Sequence, residues 1–238
     1  MIKFDVITIF QEIFESYIGE SLIARAQAKK FIKINVHDLR KWGKGPHKQV
    51  DDRPFGGGLG MVMQVEPIYK AIESIKLGNK LRTKIHEREK NALTEKFKTK
   101  IILFTPRGEK FNQKLATKLS KLDQIIFICG RYEGVDQRVA EKISDMEISI
   151  GGYDLMGGEL PAMVCIETIS RLIPGVLGKP QLLKERISKS GGFLEYAQYT
   201  RPEIFKAAGK NWRVPKVLLS GDHKKIDEWK KTHGKVIE

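Results

Sequence analysis

The stretch from residue 124 to 163 constrains this chain most. Two short, apolar, β-branched runs, 124–129 and 146–150, each break abruptly into a glycine-rich turn. The first turn is Gly130-Arg131-Tyr132-Glu133-Gly134, and the second is Gly151-Gly152-Tyr153-Asp154-Leu155-Met156-Gly157-Gly158-Glu159. An apolar run of this length that ends in glycines reads as a buried strand leaving a sheet. In open α/β sheets, ligands bind outside the carboxyl ends of the strands. Two such ends loaded with glycine fit a backbone held close around a ligand, because glycine lacks a Cβ and reaches dihedrals that other residues avoid. Two tight turns in an ordinary core would show the same composition, and on glycine content alone both readings stand.

The flanking sequence sets the fold class. Residues 3–9 read as a strand, followed by a helix with Ile13, Phe14, Tyr17 and Ile18 on one face. Ser21 is placed to cap a second helix through Lys30, and residues 31–36 return as a strand. This strand–helix–strand rhythm predicts α/β architecture with a largely parallel sheet. A helix is expected over 65–74. Residues 76–100, rich in both charges, read as an exposed insertion or helical segment with a solvated face. A third strand, 101–104, ends at Thr105-Pro106-Arg107-Gly108, so its end can meet the other two. A helix near 111–122 leads into the organising stretch, and another runs through 164–172 until Pro174 and Gly175 stop it. The expected division is a domain over 1–178, a polar, basic linker over 179–191 and a small second domain over 192–238.

Charge narrows the partners. The formal net charge is +14 and the pI about 9.6, which favours a polyanion, nucleic acid ahead of anionic membrane. The loop over 40–60 is basic at its start and carries Trp42 and His47, residue types that contact phosphates and stack on unpaired bases. Asp51, Asp52 and Arg53 could equally form an internal ion pair. Its glycines, Gly56-Gly57-Gly58-Leu59-Gly60, match neither GxGxxG nor a loop followed by GK[ST], so a dinucleotide site or Walker A loop is not supported. Cys129 and Cys165 lie inside apolar runs, as buried small hydrophobes in a reducing compartment do. The N-terminus lacks a signal-peptide pattern, and no apolar run approaches the roughly 20 residues that span a bilayer. A cytoplasmic protein without a membrane partner is expected.

Six motifs, in unbroken order, carry a family resemblance: DDRPFGGGLGMVM (51–63), GRYEGVDQRV (130–139), SIGGYDLMGGELPAM (149–163), SRLIPGVLG (170–178), YTRP (199–202) and VLLSGDH (217–223). Together they resemble the bacterial tRNA (guanine-N1)-methyltransferases, the TrmD family. The resemblance implies a SPOUT-type parallel sheet with a deep trefoil knot toward its C-terminal end, and a small helical C-terminal domain that binds tRNA. It implies S-adenosyl-L-methionine as cofactor, with Mg2+ assisting. The partners it implies are a tRNA anticodon stem-loop and a second copy of the chain, with active sites shared in a homodimer. The implied reaction is methylation of N1 of the guanosine immediately 3′ of the anticodon, position 37.

The same resemblance assigns residues. Pro106, Gly130, Tyr132, Glu133, Ile150, Gly151, Tyr153, Leu155, Gly157 and Gly158 correspond to the cofactor pocket, with Glu133 suited to an ammonium group. The family usually has Asp where this chain has Gly152. Guanine N1 carries a proton, so its methylation needs a general base, and charge developing toward O6 needs a cation. Arg171 matches the family's arginine, although a cation at a helix C-terminus also complements the helix dipole. The base in the family is an acid in the linker. Here the linker departs from the usual pattern, and Glu185 is the acid between Arg171 and Glu195, so it is the expected base; a surface pair with Lys184 or Lys189 is its plainer role. Glu133 and Glu195 are the expected carboxylates for Mg2+. The alternatives are a SPOUT methyltransferase acting on ribosomal RNA, which YTRP and the GGG loop do not suit, and a non-catalytic RNA-binding protein, which the two glycine-rich strand ends do not suit. A Rossmann methyltransferase would need a glycine fingerprint after the first strand, and Thr8-Ile9-Phe10-Gln11 lacks it.

Overall fold

The strand over Gln124–Ile128 reads QIIFI, and all five residues are buried. A strand apolar on both faces belongs inside a parallel sheet. In chain order the strands of the N-terminal part are β1 (Ile2–Thr8), β2 (Ile32–Asp38), β3 (Asp51–Asp52), β4 (Val62–Met63), β5 (Thr99–Lys110), β6 (Gln124–Ile128) and β7 (Met146–Ser149). Five of them form one sheet in the order β2-β1-β6-β5-β7, with every pairing parallel. The computed structural model describes residues 1–89, 97–179 and 192–237. The chain divides into two units, Met1–Pro180 and Gln181–Glu238.

Alternation along the strands sends apolar side chains to both faces. Phe4 and Val6 join one core with Phe127, Phe104, Phe14, Ile23, Leu115 and Ile166. That face is covered by α1 (Glu12–Ile18), α2 (Ser21–Ala28), α4 (Gln113–Leu119) and α6 (Glu159–Ser170). Ile7 joins the second core with Leu39, Ile68, Ile72 and Val139. Those residues come from a 3-10 turn (Leu39–Trp42), α3 (Val65–Glu89) and α5 (Gln137–Lys142). A charged group is buried within β1. Asp5 is fully buried and takes hydrogen bonds from Asn35 (2.9 Å) and Gln124 (2.6 Å). It also pairs with His37 Nε2 (2.8 Å) and Lys3 Nζ (3.1 Å). Burial pushes its carboxyl pKa up, but the bonds from His37 and Gln124 and the Lys3 charge outweigh that and hold it below the ordinary value.

Several elements differ from the sequence reading. The helix from Val65 runs on to Glu89, through the charged segment, because nothing in residues 75–89 breaks a helix except a tolerated glycine. Ser21 does not cap α2; it is the first helical residue, and the preceding Glu20 makes no side-chain cap bond. Asn112 starts α4 instead, accepting the Leu115 N–H at 2.9 Å, and the helix ends at Leu119. β5 does not stop at Phe104. Phe104 and Glu109 both register with Ile148, so residues 105–108 bulge from the ladder and the strand resumes. Pro106 has no N–H to donate to the ladder, which makes this the place for the break.

The C-terminal unit mixes both structures. β8 (Phe193–Tyr196) pairs antiparallel with β11 (Gly234–Ile237), and β9 (Ile204–Ala207) pairs with β10 (Lys210–Arg213). Its described helices are α7 (Lys216–Leu219) and α8 (His223–Thr232). The expectation of a helical domain is therefore corrected. At four residues each, the strand segments are too short to show strand periodicity in the sequence, and tertiary pairing decides them. Asp222 caps α8 through the Lys225 N–H at 3.2 Å, and Trp229 stacks on His233 with ring centroids 4.5 Å apart.

Candidate active site

The carboxyl ends of β5, β6 and β7 open onto one cavity of about 580 Å3. Its position follows from the sheet order, because β6, β5 and β7 are neighbours and parallel, so their ends emerge side by side. The bulge 105–108 forms one wall, the turn after β6 a second, and the turn between β7 and α6 a third. All ten residues that the resemblance assigns to the pocket lie on these walls: Pro106, Gly130, Tyr132, Glu133, Ile150, Gly151, Tyr153, Leu155, Gly157 and Gly158.

The two glycine-rich turns touch. Gly158 donates its N–H to the Gly130 carbonyl at 3.0 Å, joining the start of α6 to the end of β6. A Cβ at Gly158 would lie 2.7 Å from Cys129 Cα, closer than any side chain can sit. The glycine is required there for space, since its own dihedrals (φ −84°, ψ −2°) are open to every residue. Tyr132, by contrast, holds a left-handed backbone (φ +60°), uncommon for a bulky side chain and typical of functional turns. The glycine loop before β4 approaches the same wall. Glu133 N–H donates to Met61 O at 3.0 Å and Met63 N–H to Gly134 O at 3.0 Å, and a Cβ at Gly60 would meet the Glu133 side chain at 2.6 Å.

Beneath the cavity lies a buried polar brace. Glu159, 1% exposed and first in α6, accepts the Thr8 hydroxyl at 2.6 Å and Arg131 Nε at 2.9 Å. Its charge also complements the N-terminal end of the helix dipole. The Arg131 guanidinium lies 4.7 Å from the centre of the Phe10 ring, a cation–π contact. The ends of β1 and β6 and the start of α6 thus converge on one carboxylate. On the opposite wall, Arg107 donates to Glu147 (3.2 Å) and to Gln137 (2.5 Å), which holds the bulge against its neighbours. The sequence reading assigned no role to Thr8, Arg107, Arg131, Gln137 or Glu159. Glu159 carries a signal, as an acid opening a run of seven apolar residues.

Arg171 does not line this cavity. Arg171 is the exposed C-terminal cap of α6. The helix starts at the cavity, and 12 residues at about 1.5 Å each carry its other end roughly 18 Å away. Glu195 stands in the C-terminal unit, in register with Lys235. Glu185 and the linker that carries it lie outside the described residues. Among the described residues no group of three or more His, Cys, Asp and Glu is placed to hold a metal ion. Of the pair expected to bind Mg2+, Glu133 lies on the cavity wall and Glu195 belongs to the other unit. No described helix is long and apolar enough to cross a membrane.

A parallel α/β sheet with a ligand-sized, glycine-walled cavity at its strand ends defines a cofactor-binding enzyme class. The comparisons make the class specific. The family model described as tRNA (Guanine-1)-methyltransferase TrmD matches residues 2–236. A tRNA (guanine-N(1)-)-methyltransferase from Carboxydothermus hydrogenoformans is 46% identical over 229 residues, covering 96% of this chain and 81% of that protein. One from Dictyoglomus turgidum is 45% identical over 231 residues, covering 97% and 84%. The crystal structure of the tRNA (m1G37) methyltransferase from Aquifex aeolicus superposes with a TM-score of 0.72 at 39% identity, covering 98% of this chain and 88% of that one. The chain belongs to the TrmD family of tRNA (guanine-1)-methyltransferases.

Proposed function

We propose that this chain methylates N1 of the guanosine immediately 3′ of the anticodon, position 37, in tRNA, using S-adenosyl-L-methionine bound in the cavity at the ends of β5, β6 and β7. The observation that carries the reading is the convergence of all ten assigned wall residues on one cavity of about 580 Å3, within the range of cofactor sites. The residues present suit this cofactor. Gly158 lets the two turns pack in hydrogen-bond contact to form the wall, and Glu133 on that wall offers a carboxylate to an ammonium group. When bound, S-adenosyl-L-methionine supplies an electrophilic methyl group. The trefoil knot of the family is part of the proposal, with the tight crossing of the 130 and 158 turns as its support.

The chain's own residues then divide the work. Arg171 stabilises negative charge at guanine O6, and Glu185 accepts the N1 proton. Arg171 stands a helix length from the cavity of its own chain, so a second copy supplies it. Leu160 and Val164 are exposed on α6 at 55% and 43%, and with Glu167 and Arg171 they mark one stripe at helical spacing. Two such stripes packed antiparallel about a two-fold axis carry each Arg171 toward the partner's Gly158 end. No step is routed through Mg2+. The C-terminal unit is read as a tRNA-binding domain, and the protein as cytoplasmic.

Calorimetry with S-adenosyl-L-methionine, followed by mapping the methylated nucleotide in a tRNA transcript, tests this reading. The expected outcome is one cofactor per chain and a methyl on N1 of guanosine 37. Methylation of ribosomal RNA instead, or no cofactor binding, refutes it. Mixing Glu133→Ala with Arg171→Ala chains tests the shared site. Heterodimers should regain activity through one intact composite site, and a mixture as inactive as its parents argues against sharing.

A further inference from the structure

The hairpin of the C-terminal unit places two large aromatic side chains where folding alone does not need them. β9 and β10 are joined by Ala208-Gly209, both left-handed (φ +49° and +72°), the two-residue turn that suits a twisted hairpin. Phe205 stands directly opposite Trp212, with ring centroids 5.6 Å apart and planes tilted by 53°. Strand alternation sets Ala207 and Lys210 on the same face, and Ile204, Lys206, Asn211 and Arg213 on the other. Phe205 remains 50% exposed and Trp212 60% exposed. The two rings cover each other only in part, and their outer surfaces face solvent.

Charge supplies the second observation. Residues 201–216 contain Arg201, Lys206, Lys210, Arg213 and Lys216 against the single acid Glu203. Among the described residues none of these five cations is in an ion pair. Exposed aromatic faces flanked by unpaired cations are the pattern that binds single-stranded nucleic acid, where rings stack on bases and cations meet phosphates. An acidic peptide would satisfy the charges and leave the ring faces unused.

We infer that the Phe205–Trp212 hairpin is a stacking platform for an unpaired RNA base, with Lys210, on the same face as the rings, meeting a flanking phosphate. The inference deepens the reading given under Proposed function and rests on it for the identity of the RNA as tRNA. Stacking is indifferent to which base is presented, so the platform adds affinity and orientation rather than sequence choice.

Fluorescence anisotropy with a labelled tRNA transcript and the full chain, over a series of salt concentrations, tests the platform. Trp212→Ala should weaken binding about five- to hundred-fold with the salt slope unchanged, because a stacked ring releases no counterions. Trp212→Phe should stay within a few-fold of wild type. Lys210→Glu should flatten the salt slope, and cofactor affinity by calorimetry should not move in any of these variants. Should Trp212→Ala unfold the unit, Phe205→Leu replaces it, keeping an apolar cross-strand pair while removing a π face. Full RNA affinity in a folded Trp212→Ala or Phe205→Leu chain overturns the inference. So does loss of self-association in place of RNA affinity, which would make the face a contact between copies. If wild type binds and methylates tRNA while these variants match it, the platform alone falls. If wild type does neither, the functional reading falls.

Discussion

Gly158→Ala isolates one physical cause at the heart of the cavity. The backbone at 158 already has right-handed dihedrals, so alanine meets no conformational penalty. The whole effect comes from space. The added methyl would lie 2.7 Å from Cys129 Cα and 3.2 Å from Gly130 N, both backbone atoms of the turn leaving the middle strand. Carbon–carbon contacts are comfortable only at about 3.5–4.0 Å, so the start of α6 and the end of β6 must separate by close to 1 Å. That separation stretches the Gly158–Gly130 hydrogen bond and the Thr8–Glu159–Arg131 brace beside it. Overpacking of this kind costs about 1–3 kcal/mol. A shift of about 1 Å in a catalytic wall can cost on the order of 100-fold in rate. Urea unfolding should therefore show a lower midpoint at unchanged m-value, and calorimetry should show weakened S-adenosyl-L-methionine binding. Gly152→Ala is the matched control: nothing lies within 4 Å of its Cβ position, and stability should stay within about 0.5 kcal/mol of wild type. A Gly158→Ala chain with wild-type midpoint and wild-type cofactor affinity would refute the reasoning.

Four further outcomes follow from the buried groups. Asp5→Ala leaves Gln124, Asn35 and the two basic partners without their acceptor and should cost about 3–5 kcal/mol in urea unfolding. Because the folded pKa of Asp5 lies below its unfolded value near 3.8, its contribution should be complete above that pH and fade only as pH falls through the lower folded value; equal acid sensitivity in Asp5→Asn and wild type would contradict this. Burial, reinforced at Cys129 by the Glu159 charge, pushes both thiols up, so a thiol reagent at pH 8 should label neither cysteine until denaturant is added, and rapid labelling of the native chain would count against it. Glu159→Ala strands the Arg131 guanidinium at 19% side-chain exposure and should cost about 3 kcal/mol, with Glu159→Gln closer to wild type by thermal melting; indistinguishable melts would show that the brace is structurally idle.

The walls of the cavity were legible because each strand end breaks from β-branched residues into glycine, and a change that abrupt survives in composition. The parallel sheet followed from the alternation of strand and helix patterns. The resumption of β5 at Glu109 and Lys110 was not legible: both residues are polar and follow Pro106 and Gly108, so nothing marks a returning strand. The brace was hidden by distance, since Thr8 and Glu159 meet across 151 positions. The C-terminal hairpin was missed because its strands are four residues each and rich in lysine, leaving Ala208-Gly209 as a weak turn signal. Arg171 could be placed at a helix end from sequence, but which end of that helix faces the cavity is a tertiary fact.

The middle strand of the sheet is also the second-to-last to be synthesised. β6 slots between β1 and β5, and Lys3 waits for Gln124, about 120 positions later. At roughly 5–20 residues per second, a ribosome needs about 6–24 seconds to cover that interval. Throughout it β1 presents an apolar edge with unpaired amides, the feature that recruits other nascent chains. The two charges on β1, Lys3 and Asp5, act as gatekeepers of that edge. While the edge is open they face water, and Asp5 Oδ2, which Lys3 of the same strand also pairs with, gains its Gln124 donor only when β6 arrives. The acid that is fully buried in the finished protein is thus a charge on an open strand edge for as long as β6 is missing.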